Sequence, residues 1–480
     1  MIFETTYKKY MKDKLKFTGK MLEETLENSL ECKVKLVDSS FNYNLLHFNF
    51  KVKGVPNKIT SSMINKLIDV CSYPTSANVR KTSVYAYSDV YDYSIEIDAF
   101  CDTDLAPSLD VRHVDKLKFV PHKSYGHSIN VPIGIDALDQ PIILEMGDFT
   151  PNILITGLVG IGKTTFVLNI LRNLALTTTP DDLKFVLIDG KGHAFEIWKD
   201  SPFMYTPPVN DCLERATILI KKIENEVRTR IHLFKEANVS NFKEYYEETG
   251  VKLPELLVVI DEFPAITNSF KYTNLDESYN PIDSLEYILK ISRSTGIRLI
   301  LASQSARSEV IDSKIKANIT GFICLGVIEP IENELALPET NIQTHQISNN
   351  IERSNACFFI EDSVNNVKLG LFPYISDKNI NEVVQSTIRK YGIAKYNTGN
   401  VDFSVNANIK QLNINKWGSN DLGIQLPEKV IELMGWKDGS QISLNVADGK
   451  VEIVNNQIES QKGEVFNEIN TSQERIPEEK

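Results

Sequence analysis

Five short apolar runs, Asn152–Thr156, Lys184–Ile188, Glu255–Ile260, Ile297–Ala302 and Gly321–Val327, alternate with amphipathic stretches between residues 140 and 330. Strands this apolar are buried on both faces, and their alternation with helices predicts a parallel sheet between two helical layers. Pro254, just ahead of the third run, suits a strand start. Upstream the periodicity changes: Leu46–Val52 and Ser83–Ser88 read as strands and Thr60–Val70 as a helix. The pattern predicts an α+β accessory domain over 1–130 and an α/β domain over 131–392. Asn, Thr and Gly dominate Tyr396–Asn408, which marks a linker over 393–411. A small β-rich module is expected over 412–455 and a disordered polar tail over 456–480.

Length and composition narrow this only a little. A chain of 480 residues exceeds one ordinary core, and 42% hydrophobic with 24% charged residues is globular rather than fibrous or disordered. A formal charge of −12 excludes a generally basic surface but leaves room for local basic clusters. Lys8, Lys9, Lys12, Lys14, Lys16 and Lys20 form one such stretch, read either as a solvated helix face or as a contact for DNA or acidic lipid. The six cysteines lie far apart with no C-x-x-C pair, which suits buried thiols in a reducing compartment. There is no secretory pattern at the start and no run of about 18 apolar residues. A cytoplasmic protein is expected, with no membrane span of its own and recruited to any membrane by a partner.

The candidate chemistry begins where the first apolar run ends. Gly157, Leu158, Val159, Gly160, Ile161, Gly162, Lys163 and Thr164 form a phosphate-binding loop between a strand and the helix Thr165–Leu174. Glycines let backbone N–H groups wrap a phosphate, Lys163 supplies a point charge for the β- and γ-phosphates of ATP, and Thr164 offers a hydroxyl to Mg²⁺. Thr165 and the helix N-terminus complete the cradle. The strand Leu256–Ile260 runs into Asp261 and Glu262. Burying carboxylates there is costly without a charge partner, so Asp261 fits a Mg²⁺ ligand acting through water, and Glu262 fits the base for an attacking water. A further strand ends in Ser303-Gln304, and Gln304 reads equally as a γ-phosphate sensor or as a loop cap. Arg293, on the helix before that strand, is either a surface residue or an arginine finger for a neighbouring subunit, and Arg228 and Arg230 are weaker candidates for the same role.

In this order the elements resemble the FtsK/SpoIIIE family of DNA-translocating ATPases. Asn130–Pro141 resembles the family's segment before the P-loop strand, and Ile188-Asp189-Gly190-Lys191 followed by Glu196 resembles its IDPK turn and acid. Pro207 and Asp211 follow at similar spacing. Ile223–Arg230 and the stretch to Phe242 resemble the ERRY-type helix. Val259–Phe263 matches the Walker B strand, Arg293–Ile297 resembles RAAGI, Leu301–Gln304 resembles LATQ, and Ile315–Ile319 and Phe372–Asp377 follow suit. The resemblance covers roughly 128–385. It implies a RecA-like P-loop NTPase core, a homo-hexameric ring and translocation of double-stranded DNA, with Gln304 as sensor and Arg293 acting in trans. The chain departs from the family at Glu352–Phe358, and it is expected to lack the membrane-spanning N-terminus and basic winged helix of chromosome-segregating members. The implied role is a conjugative coupling protein moving mobile-element DNA, with membrane-channel or relaxosome proteins as partners. A segregation or packaging motor, a protein-secretion ATPase and an ATP-switched DNA-binding regulator are the alternatives.

Ile414–Val430, Met434–Leu444 and Asp448–Ile453 resemble the MazE/AbrB swapped-hairpin fold. Gln425 stands where that family places a DNA-reading arginine, and Leu412–Val454 holds four lysines against six acids. Dimerisation or docking to a partner is as well supported there as DNA binding.

Overall fold

The computed structural model describes residues 2–394, apart from 54–58, 84–90, 118–128, 270–279, 327–334, 339–354, 362–366 and scattered shorter stretches, together with four strands between 414 and 455. Nearly all of the expected linker, the tail 456–480, most of the strand expected at Ser83–Ser88, and Lys191, Asp211 and residues 352–354 lie outside the described residues. Two compact units are formed, Met1–Val401 and Asp402–Lys480.

The first unit opens with a long helix, α1 (Ile2–Leu30), followed by β1 (Lys33–Asn42), β2 (Leu45–Lys53), α2 (Ser61–Asp69), β3 (Thr75–Ser83) and β4 (Tyr91–Phe100). The strands form an antiparallel sheet in the order β1-β2-β4-β3. Tyr7, Met11, Leu22 and Leu26 of α1 are buried with Phe48, Phe50, Val52, Ile95 and Ile97, so helices cover one face of this sheet.

After the short α3 (Val111–Asp115), the chain builds a ten-stranded sheet. Its strands are β5 (Asn130–Ile135), β6 (Pro141–Glu145), β7 (Asn152–Thr156), β8 (Leu183–Asp189), β9 (Val209–Asn210), β10 (Glu255–Asp261), β11 (Ile297–Ser303), β12 (Gly321–Cys324), β13 (Asn355–Glu361) and β14 (Val367–Pro373). Their order is β6-β5-β14-β13-β12-β7-β11-β10-β8-β9. Pairing from β12 to β9 is parallel, as the apolar runs predict, whereas β13, β14, β5 and β6 extend the sheet by antiparallel pairing. The helices are α4 (Lys163–Thr177), α5 (Leu213–Glu236), α6 (Phe242–Thr249), α7 (Phe263–Ser269), α8 (Pro281–Thr295), α9 (Ser313–Lys316) and α10 (Asp377–Tyr391). Phe166, Ile170 and Leu174 of α4 pack on one face of the sheet, while Ile220, Ile223, Leu285 and Ile288 of α5 and α8 pack on the other.

Two polar arrangements set the position of α4 and the start of β11. The β5–β6 pairing shifts register between Pro132 and Gly134. Asn173 Nδ2 donates to Pro132 O at 2.8 Å and Asn169 Nδ2 to Ile133 O at 3.1 Å, while Arg172 pairs with Asp115 at 2.8 Å. The buried polar side of α4 thereby satisfies backbone acceptors at the irregularity and fixes the helix against β5. At the N-terminal edge of the parallel sheet, Arg298 and Glu255 are both fully buried and paired at 3.4 Å, with the Arg298 guanidinium 6.0 Å from the Phe242 ring. Arg230, also buried, donates to Thr295 O and Pro254 O and pairs with Glu226. This clamp of α5 on the approaches to β10 and β11 rules out Arg230 as an arginine finger. Arg228 lies over the Tyr287 ring at 4.5 Å and pairs with Glu224.

In the second unit, β15 (Ile414–Trp417) pairs antiparallel with β16 (Asp421–Ile424), and β17 (Ile442–Ala447) with β18 (Lys450–Asn455).

Truncating one partner of a buried ion pair leaves a charge uncompensated, at a cost of about 3–5 kcal/mol, while replacing both by apolar side chains is near neutral. Glu255→Ala is therefore expected to lower unfolding free energy in urea by that amount. The double variant Glu255→Leu, Arg298→Met is expected to recover most of it.

Candidate nucleotide site

Parallel pairing puts the ends of β7, β11, β10 and β8 along one edge, because Ser303 is level with Thr156 and Asp261 with Asp189. A cleft of about 410 Å³ opens at that edge. Its lining includes Val159, Gly160, Gly162, Lys163, Thr164, Thr165, Asp261, Glu262 and Gln304.

The loop after β7 needs its glycines. Gly160 and Gly162 have φ of 76° and 104°, a left-handed backbone that disfavours larger residues. At Gly157 a Cβ would meet Ile161 at 2.9 Å. Gly162 caps α4, so the helix N-terminus opens into the cleft, with its unsatisfied N–H groups and partial positive charge. Lys163 is 7% exposed, and its ammonium donates to Gly157 O at 2.7 Å and Leu158 O at 3.1 Å. The Leu158 amide donates to Gly326 O, and Ile161 is buried beneath the loop.

Thr164 Oγ1 donates to Asp261 Oδ2 at 2.5 Å, joining the first turn of α4 to the end of β10. The Asp261 carboxyl is held above the usual carboxylate range, chiefly by burial and further by the neighbouring charge of Asp189. The Thr164 hydrogen bond and Lys163 oppose that rise. A hydroxyl and a carboxylate converging below a lysine form a donor set suited to a divalent cation with a phosphate above it.

Glu262 follows with φ of 53° at only 8% exposure. Left-handed backbone at such a residue costs about 1–2 kcal/mol and concentrates at functional sites. The turn sends the chain from β10 into α7 and leaves Glu262 in the cleft wall. Gln304 follows β11, the strand between β7 and β10, and so lies between the phosphate loop and the two acids.

Arg293 is elsewhere. It is exposed in the last turn of α8, ahead of β11, and does not line this cleft. The seven residues of β11 separate the two ends of that strand by about 20 Å.

The cleft is also lined by residues after β8 that the sequence does not mark as site residues. Asp189 Oδ1 accepts from Gly192 N at 2.9 Å and Oδ2 from Ala194 N at 3.2 Å. These bonds shape the turn after β8, and Asp189, Gly192, His193 and Ala194 all line the cleft. The signal was present in Ile188–Lys191, where another apolar strand ends in an acid at the same edge.

A phosphate loop, buried acids and a polar amide thus gather at one sheet edge, in a segment that is similar to known proteins. Residues 118–343 match the FtsK/SpoIIIE family. The chain is 28% identical over 253 residues to the DNA translocase FtsK of Helicobacter pylori strain J99, spanning 50% of this chain and 29% of that protein. It is 27% identical over 217 residues to the DNA translocase SpoIIIE of Bacillus subtilis, spanning 43% of this chain and 26% of the relative. Among solved structures, the pCW3 conjugation coupling protein TcpA with ATPγS aligns at a TM-score of 0.45 and 18% identity, over 77% of this chain and 99% of that one. The chain spans under a third of these two curated relatives.

The Asp261 carboxyl holds its proton more tightly in the folded chain than in the unfolded one. Its contribution to stability is therefore greatest below the ordinary carboxylate pKa and is lost as pH rises through the elevated folded value. At neutral pH, Asp261→Asn is expected to raise the melting temperature of the nucleotide-free protein and to abolish the further rise given by Mg²⁺ with ATP. Differential scanning fluorimetry with and without nucleotide reads both.

Proposed function

We propose that the protein is an ATP-driven double-stranded DNA translocase that moves mobile-element DNA as a conjugative coupling protein. The observation that carries the catalytic part is the convergence of Lys163, Thr164, Asp261, Glu262 and Gln304 in one cleft inside the FtsK/SpoIIIE-matching segment. The amides from Gly157 to Thr165, with Leu158, Val159 and Ile161 contributing backbone, cradle the β-phosphate. Lys163 bonds the β- and γ-phosphate oxygens. Thr164 and, through water, Asp261 would hold Mg²⁺, which supplies charge neutralisation on the phosphates. Glu262 accepts a proton from the attacking water, and Gln304 orients that water or the γ-phosphate. DNA as substrate rests on the relatives at 27–28% identity, both DNA translocases.

Arg293, at the far end of β11 from its own cleft, would serve the nucleotide of a neighbouring subunit in a homo-hexameric ring. The two hairpins between 414 and 455 support a MazE/AbrB-like module for dimerisation or docking. Among the described residues no helix is long and apolar enough to cross a membrane. A cytoplasmic motor recruited to a membrane channel or relaxosome by partner proteins accommodates that.

Duplex DNA is expected to raise ATP turnover severalfold in the wild type and not at all in Lys163→Ala. Turnover that stays flat with DNA of any length at low salt would remove the translocase reading. Glu262→Gln is expected to retain ATP binding while hydrolysis falls by about 10²–10⁴. For Arg293, mixing Arg293→Ala with Lys163→Ala subunits should restore turnover that neither shows alone; activity no higher than the sum of the two excludes a trans role.

A further inference from the structure

One face of the N-terminal sheet changes character along β2, where it carries Leu45, His47, Asn49, Lys51 and Lys53 in turn. At one end Leu45 is buried with Phe100, Phe359, Leu369 and Leu371, docking the face against the ten-stranded sheet. His47 follows, buried and bonded to Asp98 at 2.8 Å. At the other end Lys51 and Lys53 are exposed. The β1–β2 register sets Lys33 opposite Lys53 and Lys35 opposite Lys51, and both β1 lysines are exposed as well. Directly opposed side chains start about 5 Å apart and same-face neighbours along a strand about 7 Å apart, so four ammonium stems share a compact rectangle. The register continues the row from Lys35 and Lys51 to Ser94.

Like charges directly opposed destabilise a sheet, so this arrangement needs a compensating reason. Edge protection does not supply it. Lysines do guard edge strands against pairing with other chains. The free edge of β1, however, is covered by Glu27 and Glu23 of α1, which accept from Val34 N at 3.1 Å and Leu36 N at 3.3 Å. Lys51 and Lys53 lie on β2, an interior strand that has no edge to guard. Nor is the quartet internally neutralised, since among the described residues none of the four lysines forms an ion pair.

We propose that Lys33, Lys35, Lys51 and Lys53 bind the phosphodiester backbone of duplex DNA, on a surface fixed beside the ATPase domain by the docked end of the same sheet face. Charge complementarity selects a polyanion. A lipid-binding patch would add several apolar anchors to its lysines, and among the described residues of β1 and β2 only Val37, at the β1 irregularity, is an exposed large hydrophobic. The inference rests on DNA being the motor's substrate and adds a contact outside the nucleotide-binding core.

The test is duplex binding by the full chain, followed by anisotropy between about 50 and 200 mM salt, for the wild type and for Lys33→Gln, Lys35→Gln, Lys51→Gln, Lys53→Gln combined. The salt slope of log K is expected to fall in magnitude by about 0.9 per lost phosphate contact, so by about 3–4 in all. DNA-independent ATPase should stay unchanged, and the melting temperature should hold or rise as the repulsion is removed. Equal slopes and affinities would overturn the quartet's role while leaving the motor reading intact. If the wild type binds no duplex, both readings fall. If the variant loses only binding to anionic phospholipid vesicles, the surface is a membrane contact and the proposal is wrong.

Discussion

The parallel pairing of β7, β11 and β10 is the constraint on which the rest of the first unit depends. Three strands with apolar side chains on both faces can be buried only between helical layers, and their shared direction brings every strand end to one edge. That edge receives the phosphate loop from β7, the polar amide from β11 and the acids from β10. In the sheet order, β11 separates the phosphate loop from the acids, so Gln304 stands between the groups that would hold and attack a phosphate. The hydrogen bond from Thr164 to Asp261 joins the first turn of α4 to the end of β10.

Charge is handled differently at the two ends of these strands. At the N-terminal edge, Arg298 and Glu255 are fully buried against each other, and Arg230 satisfies backbone carbonyls around them. Those charges are consumed in holding helices to strands. At the C-terminal edge, Asp261, Asp189 and Glu262 lie close together with Lys163, and burial drives the Asp261 carboxyl towards its protonated form. Such concentration of acid is unfavourable in the empty protein and becomes favourable when cationic charge arrives with a phosphate ligand. The left-handed Glu262 adds backbone strain at the same place. One edge stabilises the fold, and the other stores unfavourable energy where chemistry would use it.

The N-terminal sheet joins this core through one face that is apolar at its docked end and basic at its open end. α1 covers the opposite face with apolar side chains and the β1 edge with Glu23 and Glu27. An edge closed by glutamates leaves the lysines of β1 and β2 without an edge-guarding task. They form a local cluster of positive charge in a chain of net charge −12.

The sequence by itself determined the parallel core and the phosphate loop, because both are local. Apolar runs of five to seven residues and a glycine pattern with a fixed lysine leave few other foldings. It also pointed to Asp261 and Glu262, since acids ending a buried strand demand a partner. Tertiary structure alone decided what depends on strand order. Gln304, equally a loop cap or a sensor from spacing, is placed in the cleft by the insertion of β11. Arg230, an arginine-finger candidate on its helix, is withdrawn into a clamp formed by residues 24 and 65 positions away. His193 enters the cleft wall only because Asp189 folds the turn behind it. The antiparallel strands β13 and β14, and the lysines that β1 and β2 bring face to face, likewise follow from register. Register is set between segments far apart in the chain, which local periodicity does not encode.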